Sequence, residues 1–422
     1  MLLQFTFKNF KSFRDEATLD LTAAELPEEN DDERYVSVDG EKVLRAAAIY
    51  GANGGGKSNV IKAFQSMGWY VCNSHNFEND DEYLQNRVFP RPFLFDTVSR
   101  DVRTSFEVYF FLSGEPGKTY NYGFTVGEEG VDEEWLNIKN APEESFARVF
   151  YRKEESIEFN ELTERMREML MITFRKEALI VSAGAKFNME PLKAVRDFFK
   201  SAEVLSFGLP EENLVLTRTF PHFDRDDERE LFFGGIAPFL QTFDPSIVAT
   251  RYEIVKNENK RTVINLFAAH KTVGSDKLTY ISMTDESDGT QKMLALYRYL
   301  RKIFDKGAPL FIDELNSRLH PLLQRSVLLS FLDPRQNPNG AQLIFTTHEP
   351  WLLDCDLLHR DEVWFAEKDD SGASSLYSLA EFRHDDKKNN YLENYLYGEY
   401  GAIPKLKAFR SVESQEASDE NE

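Results

Sequence analysis

Apolar and polar positions alternate from the start of the chain. In "LLQFTFKNF" (2–10) and "EATLDLTA" (16–23) nearly every second side chain is apolar, so two half-buried strands are predicted there. "LRAAAIY" (44–50) is a short apolar run suited to a buried strand. The text after it, "SNVIKAFQSMGWYV" (58–71), repeats at helical spacing through Val60, Ala63, Phe64 and Met67. Between 91 and 138, "SFEVYFFLSG", "TYNYGFTVGEEGV" and "DEEWLNIK" alternate β-branched and aromatic residues with polar ones, and glycine-containing turns break them. That pattern predicts an antiparallel meander.

From about 140 to 270 the pattern is mixed. "ELTERMREMLMITF" and "EPLKAVRDFFKSAEVL" have helical spacing, and "ATRYEIVKNENKRTVINLFAAH" reads as a hairpin of two strands. Met293, Leu296, Tyr297, Leu300 and Phe304 then place a helix beginning near Gly289, with Ser287 or Asp288 positioned to cap it. "PLFIDEL" and "AQLIFTTH" are apolar runs of the buried parallel-strand type. No internal repeat is visible, and no heptad pattern lasts beyond two or three heptads. An α/β core is therefore expected to be assembled from both ends of the chain. Residues 1–140 would carry its first part and the meander, 141–270 an inserted helical or mixed region, 271–405 the second part, and 406–422 an acidic disordered tail.

The predicted strand and helix flank "GANGGGKS", which fits G-x-x-x-x-G-K-[ST] with Gly51, Gly56, Lys57 and Ser58 at the fixed positions. Glycines let the backbone curl until consecutive N–H groups face one anion, and the following helix adds its positive end. Gly51, Ala52, Asn53, Gly54, Gly55, Gly56, Lys57, Ser58 and Asn59 are thus the candidate phosphate-binding set. Lys57 would supply a point charge and the Ser58 hydroxyl a ligand for Mg²⁺. Such a loop needs a carboxylate for the metal and a base for water. At the end of "PLFID", Asp313 is the metal candidate, and the adjacent Glu314 is the base candidate. His348, directly after "AQLIFTT", would reach the phosphate edge if its strand lies beside that of Asp313. The capped helix start at Ser287 and Gly289 is a second anion site. Since the glycine loop already supplies one, the second implies a second molecule.

Composition narrows the class. The 422 residues carry a net charge of −22, and six acidic residues fall between Glu25 and Glu33. Such a balance argues against constitutive coating of nucleic acid, although a local basic patch is left open. Cys72 and Cys355 are the only two cysteines and lie far apart, which points to neither a disulfide framework nor a zinc site and fits a reducing cytoplasm. No apolar run reaches the roughly 18 to 20 residues of a membrane span. A soluble cytoplasmic protein with no membrane partner is the expectation.

Taken together, "GANGGGKS", "ESDGTQKML", "LFIDELNSRLHP" and "IFTTHEP" resemble the ABC-type ATPases whose heads dimerise head to tail, a group that includes SMC proteins, RecF and the OLD family. The opening "FTFKNFKSF" and the ending "YLENYLYGEYGAIPKL" look most like the short bacterial branch of phage-defence and abortive-infection operons, the RloA- and AbiL-like ATPases. The resemblance covers about 1–140 and 270–405. It implies an α/β P-loop ATPase head with an antiparallel β subdomain and an inserted, mostly helical region, and ATP and Mg²⁺ as cofactors. It also implies that Ser287 and Gly289 contact the γ-phosphate across a dimer, that Asp313 is the Walker B aspartate and Glu314 the general base, that Asn316 to Leu319 form the D-loop, and that His348 is the switch histidine. The glutamine that often completes magnesium coordination has Gln85 as its candidate. The signature reads S-D-G-T-Q where transporters have L-S-G-G-Q, which counts against a transport subunit.

The function this implies is an ATP-hydrolysing homodimer, or higher homo-oligomer, that acts as sensor or regulator of a separately encoded nuclease or toxin in antiviral defence. Three other functions compete. A DNA-repair or chromosome-maintenance ATPase would carry long coiled-coil arms, whereas the middle region offers roughly 60 helix-compatible residues at ~1.5 Å each. A small-molecule kinase or simple NTPase would have no use for Ser287 and Gly289. A nuclease in the same chain would need more than the stretch after His348 provides.

Overall fold

The computed structural model describes residues 1–26, 34–77, 90–208, 220, 223, 225–256, 262–354, 357–383 and 390–404. Gln85 and the acidic tail lie outside the described residues, as does most of the acidic run before Arg34.

A six-stranded sheet forms the centre. Its spatial order is Glu203–Ser206, Pro309–Asp313, Gln342–Thr346, Ala46–Tyr50, Val363–Lys368 and Ser374–Ser378. The first five strands are parallel and the last antiparallel. Both faces of the middle of this sheet are covered, so its central strands are mostly apolar; Ala46–Tyr50, Pro309–Asp313 and Gln342–Thr346 are buried at every residue. Successive side chains still point to opposite faces. Ala47, Ile49, Phe311 and Ile344 enter the core shared with the helix Lys57–Asn73 and the antiparallel sheet. Ala48, Tyr50, Ile312 and Phe345 enter a second core under the helices Asp288–Lys306 and Pro321–Leu332. Phe64 of the first helix stacks on Phe311 at 4.1 Å between centroids, which locks that helix to the middle of the sheet.

The meander is a seven-stranded antiparallel sheet ordered Ser156–Phe159, Ala147–Lys153, Gly130–Asn140, Lys118–Gly127, Thr104–Phe111, Leu2–Lys8 and Ala17–Asp20. The two predicted N-terminal strands are its end, and two strands beyond residue 140 continue it. Among the described residues the region 141–270 therefore mixes strands with helices. The stretch "EPLKAVRDFFKSAEVL" divides: the helix Leu192–Ser201 buries Leu192, Val195, Phe198 and Phe199, and Glu203–Ser206 then pairs with Leu310–Asp313 as the edge of the central sheet. The expected hairpin is present as Ile247–Lys256 and Thr262–Lys271, with Leu278–Ser282 as a third antiparallel strand. Among the described residues no helix is long and apolar enough to cross a membrane.

Candidate functional site

In an open parallel sheet the carboxyl ends of the strands gather at one edge, where a site can be built from several chain segments. Here three neighbouring strands end together. Ala46–Tyr50 runs into the glycine loop, Pro309–Asp313 delivers Asp313 and Glu314, and Gln342–Thr346 delivers Thr346 and His348.

The glycines are required by space and by backbone. Gly51 has φ +146, and a Cβ there would lie 2.3 Å from the Ala366 carbonyl oxygen; one on Gly55 would lie 2.6 Å from the same atom. Gly56 has φ +116, and a Cβ there would lie 2.6 Å from the Ser374 hydroxyl oxygen. The loop is thus pressed against the hairpin Val363–Lys368 and Ser374–Ser378. Ala52, Asn53 and Gly54 form its outer turn, with Asn53 and Gly54 exposed. The helix Lys57–Asn73 follows with no side-chain cap and no acidic residue in its first turn, so its positive end carries no built-in anion. This cradle fits a phosphate chain.

Lys57 is buried, and its Nζ donates to the carbonyls of Gly51 (2.8 Å) and Ala52 (3.1 Å) and lies 3.4 Å from His348 Nδ1. Ser58 Oγ donates to Asp313 Oδ1 at 2.8 Å, and Thr346 Oγ1 donates to the same oxygen at 2.7 Å. Thr346 Oγ1 also accepts the Glu314 N–H at 2.8 Å. Ser58 and Asp313 are the residues that would hold Mg²⁺. Among the described residues no cluster of three or more His, Cys, Asp or Glu side chains forms a metal cage. Few protein ligands suit an ion that keeps waters and takes phosphate oxygens. Asn59 points elsewhere: its side chain donates to Ser12 Oγ at 2.8 Å and ties the loop to the N-terminal segment.

Glu314 sits in the left-handed backbone region, with φ 57. That conformation costs an L-residue about 1 to 2 kcal/mol and is found where surrounding structure imposes it. Its carboxylate is packed against Gly208, where a Cβ would lie 2.4 Å from Oε2. His348 N donates to Asn316 Oδ1 at 3.3 Å, which joins the two strand ends. Thr346 and Gly208 were not legible as site residues; Thr346 lies inside the quoted "IFTTHEP" but has no distinctive pattern of its own.

Ser287 caps the helix Asp288–Lys306 by accepting from Thr290 N at 3.1 Å. It is exposed, and the atoms nearest to a Cβ on Gly289 are the Arg318 carbonyl oxygen and Ser287 Oγ, both at 3.8 Å. The structure thus brings Lys57, Ser58, Asp313, Glu314 and His348 together, while the exposed Ser287 and the half-buried Gly289 lie at a separate helix end.

Burial pushes the Lys57 ammonium down to about 8, against the pull of Asp313 and Glu314. Burial first, and the Lys57 charge second, lower His348 below the ordinary imidazole range. The sign for Lys57 follows directly. Between about 8 and its ordinary 10.5 the folded chain binds fewer protons than the unfolded one, so stability without ligand rises with pH across that window. Phosphate favours the charged ammonium, so nucleotide affinity should fall as pH rises through about 8, and binding above that pH should take up a proton. Calorimetry in buffers of different ionisation enthalpy reads the proton directly. The uptake should vanish in Lys57→Met.

No curated protein matches this chain. Among solved structures it is similar to one described as the crystal structure of the SmcHead bound to the C-winged helix domain of ScpA, at 12% identity and TM-score 0.47, covering 89% of this chain and 97% of that one. It is also similar to the SMC head domain from Thermotoga maritima, at 14% identity and TM-score 0.42, covering 89% and 98%. A third is the Smc head domain with a coiled coil and joint derived from Pyrococcus yayanosii, at 10% identity and TM-score 0.39, covering 94% and 99%. Residues 46–354, from the strand before the glycine loop to beyond His348, match the family described as "AAA domain, putative AbiEii toxin, Type IV TA system". A match over that much of the sequence, with loop, carboxylates and histidine converging inside it, means that the chain belongs to this family of AAA domains.

Proposed function

We propose that the chain binds MgATP in the loop Gly51–Ser58 and hydrolyses it at a site completed by a second copy, whose Ser287 and Gly289 approach the γ-phosphate. Lys57 and the loop amides hold the phosphates, Ser58 and Asp313 hold the magnesium, Glu314 takes the proton of the attacking water, and His348 stands at the phosphate edge. The bound metal supplies charge neutralisation. The observation that supports this reading is the split arrangement: Lys57, Ser58, Asp313 and Glu314 gathered at one sheet edge, and an exposed, capped helix start elsewhere on the same chain.

The ATP-dependent pairing of two such chains would work in the cytoplasm as a switch on a separately encoded toxin or nuclease in antiviral defence. The family description names a toxin–antitoxin system, which supports a setting of that kind and leaves the separate effector to this proposal.

The test is complementation. Lys57→Ala and Ser287→Arg chains should each be inactive alone. Random pairing of equal amounts makes about half of the dimers mixed, each with one intact site, so about a quarter of wild-type activity should return. Phosphate release against mixing ratio, after subunit exchange, measures it. A flat background with exchange shown independently would overturn the composite site.

A further inference from the structure

The helix Asp288–Lys306 does more than end at Ser287. One turn in, Lys292 is 2% exposed, a position an ammonium occupies only when its hydrogen bonds are satisfied. Its Nζ donates to the Phe207 carbonyl at 2.8 Å and to the Ser317 carbonyl, and it lies 4.8 Å from the centroid of the Phe207 ring. Those two acceptors stand on either side of Glu314. Phe207 is followed by Gly208, whose backbone is the wall behind the Glu314 carboxylate. Ser317 belongs to the turn that leaves Glu314, and its own N–H donates back to the Glu314 carbonyl at 2.9 Å. Asp288 lies four residues before Lys292, on the same helix face, and pairs with Arg318 in that same turn. The end of the helix therefore grips both supports of the base, and it does so within one chain.

We propose that Lys292 is a positioning residue that couples the exposed helix start to Glu314 of its own chain. This rests on the composite-site reading. In a dimer, the helix start of one chain would touch the nucleotide held by the other, and Lys292 would pass that contact to the first chain's own base. Each nucleotide would then help to set the base of the opposite site. Gly208 is required for the same reason, since any side chain there displaces the Glu314 carboxylate.

The test uses the full chain carrying Lys292→Met. Misplacement of a reacting group by about an ångström can cost about a hundred-fold, so kcat should fall about ten- to a hundred-fold. KM and the calorimetric affinity for ATP should stay within about twofold of wild type, because the loop Gly51–Ser58 is untouched. Mixing locates the defect. With Ser287→Arg chains, activity should return, because one site then has an intact loop, an intact base with its own Lys292, and an intact Ser287. With Lys57→Ala chains it should not, because the only intact loop belongs to the chain whose base is misplaced.

Wild-type kcat in Lys292→Met overturns the proposal. So does the reverse pattern, recovery with Lys57→Ala and none with Ser287→Arg, which would mean that Lys292 only supports its own helix end. If Lys57→Ala and Ser287→Arg fail to complement each other while Lys292→Met still loses kcat at unchanged affinity, the composite site falls and the positioning role stands. Should Lys292→Met not fold, Lys292→Gln carries the same test, since the shorter amide cannot bridge the Phe207 and Ser317 carbonyls as the ammonium does: reduced kcat at unchanged affinity supports the link, and wild-type kcat removes it.

Discussion

Glu314→Gln is expected to lower ATP turnover by about a hundred- to ten-thousand-fold while ATP still binds. The amide has the size and shape of the carboxylate, so the wall at Gly208 and the Glu314 N–H bond to Thr346 are retained. What is lost is the proton acceptor. The loop contacts of Lys57 and the pairing of Ser58 with Asp313 involve no atom of Glu314, so affinity should hold. Binding without turnover traps the assembled state, and the variant should run as a dimer in sizing chromatography with MgATP and as a monomer without it. Left-handed backbone at this residue strengthens the expectation. A φ of 57 in a non-glycine residue persists when neighbouring contacts impose it, and here the Thr346 hydroxyl holds the N–H while the sheet edge holds Asp313. Wild-type turnover in Glu314→Gln would remove the residue from the chemistry and leave the loop as a binding site without an assigned base.

Which parts of this site could be read in advance follows from how local each constraint is. The glycine loop announces itself because its whole pattern, with positive φ at Gly51 and Gly56, falls inside eight residues, whereas the lack of room for a Cβ beside Ala366 and Ser374 comes from a distant part of the chain. Asp313, Glu314 and His348 were legible because each follows a short apolar run that has to be a buried strand. The helix start at Ser287 was legible from its cap and its spacing. Thr346 was not, because a threonine in a strand is ordinary until the parallel register of Gln342–Thr346 on Pro309–Asp313 sets its hydroxyl on the Asp313 carboxylate. The edge strand Glu203–Ser206 was hidden for a similar reason. Its Val204 and Leu205 extend the apolar spacing of the preceding helix, and only pairing with Leu310–Asp313 makes a strand the better state. With that strand went Phe207 and Gly208, and hence the setting of Glu314.

Removing the guanidinium of Arg152 should lower the free energy of unfolding by about 3 to 5 kcal/mol, the usual cost of breaking one partner out of a buried charge cluster. Arg152 and Glu134 are both fully buried, 3.9 Å apart. Arg152 donates to the carbonyls of Glu154, Lys176 and Ala178, all within 2.9 Å. Glu134 accepts from the N–H groups of Ile180 and Val181 and from the Tyr122 hydroxyl, and so caps the helix Ile180–Lys186. That helix and the turn before it hold the far end of the helix that starts at Lys57: Tyr70 Oη donates to the Glu177 carbonyl, and Ser74 Oγ accepts from Leu179 N. The cluster thus joins the antiparallel sheet to the back of the nucleotide site. Arg152→Met should shift the urea midpoint downward with little change in slope. Burial already raises the Glu134 carboxyl above its ordinary range with Arg152 beside it, and loss of that charge raises it further. An acid raised in the folded state binds more protons folded than unfolded, so its penalty grows as pH rises through that window and shrinks as pH falls. The stability deficit of Arg152→Met against wild type should therefore narrow as pH falls from neutrality towards the ordinary carboxylate range. A deficit that does not change with pH would mean that the cost lies in the abandoned carbonyls and lost packing, with no share from the stranded carboxylate.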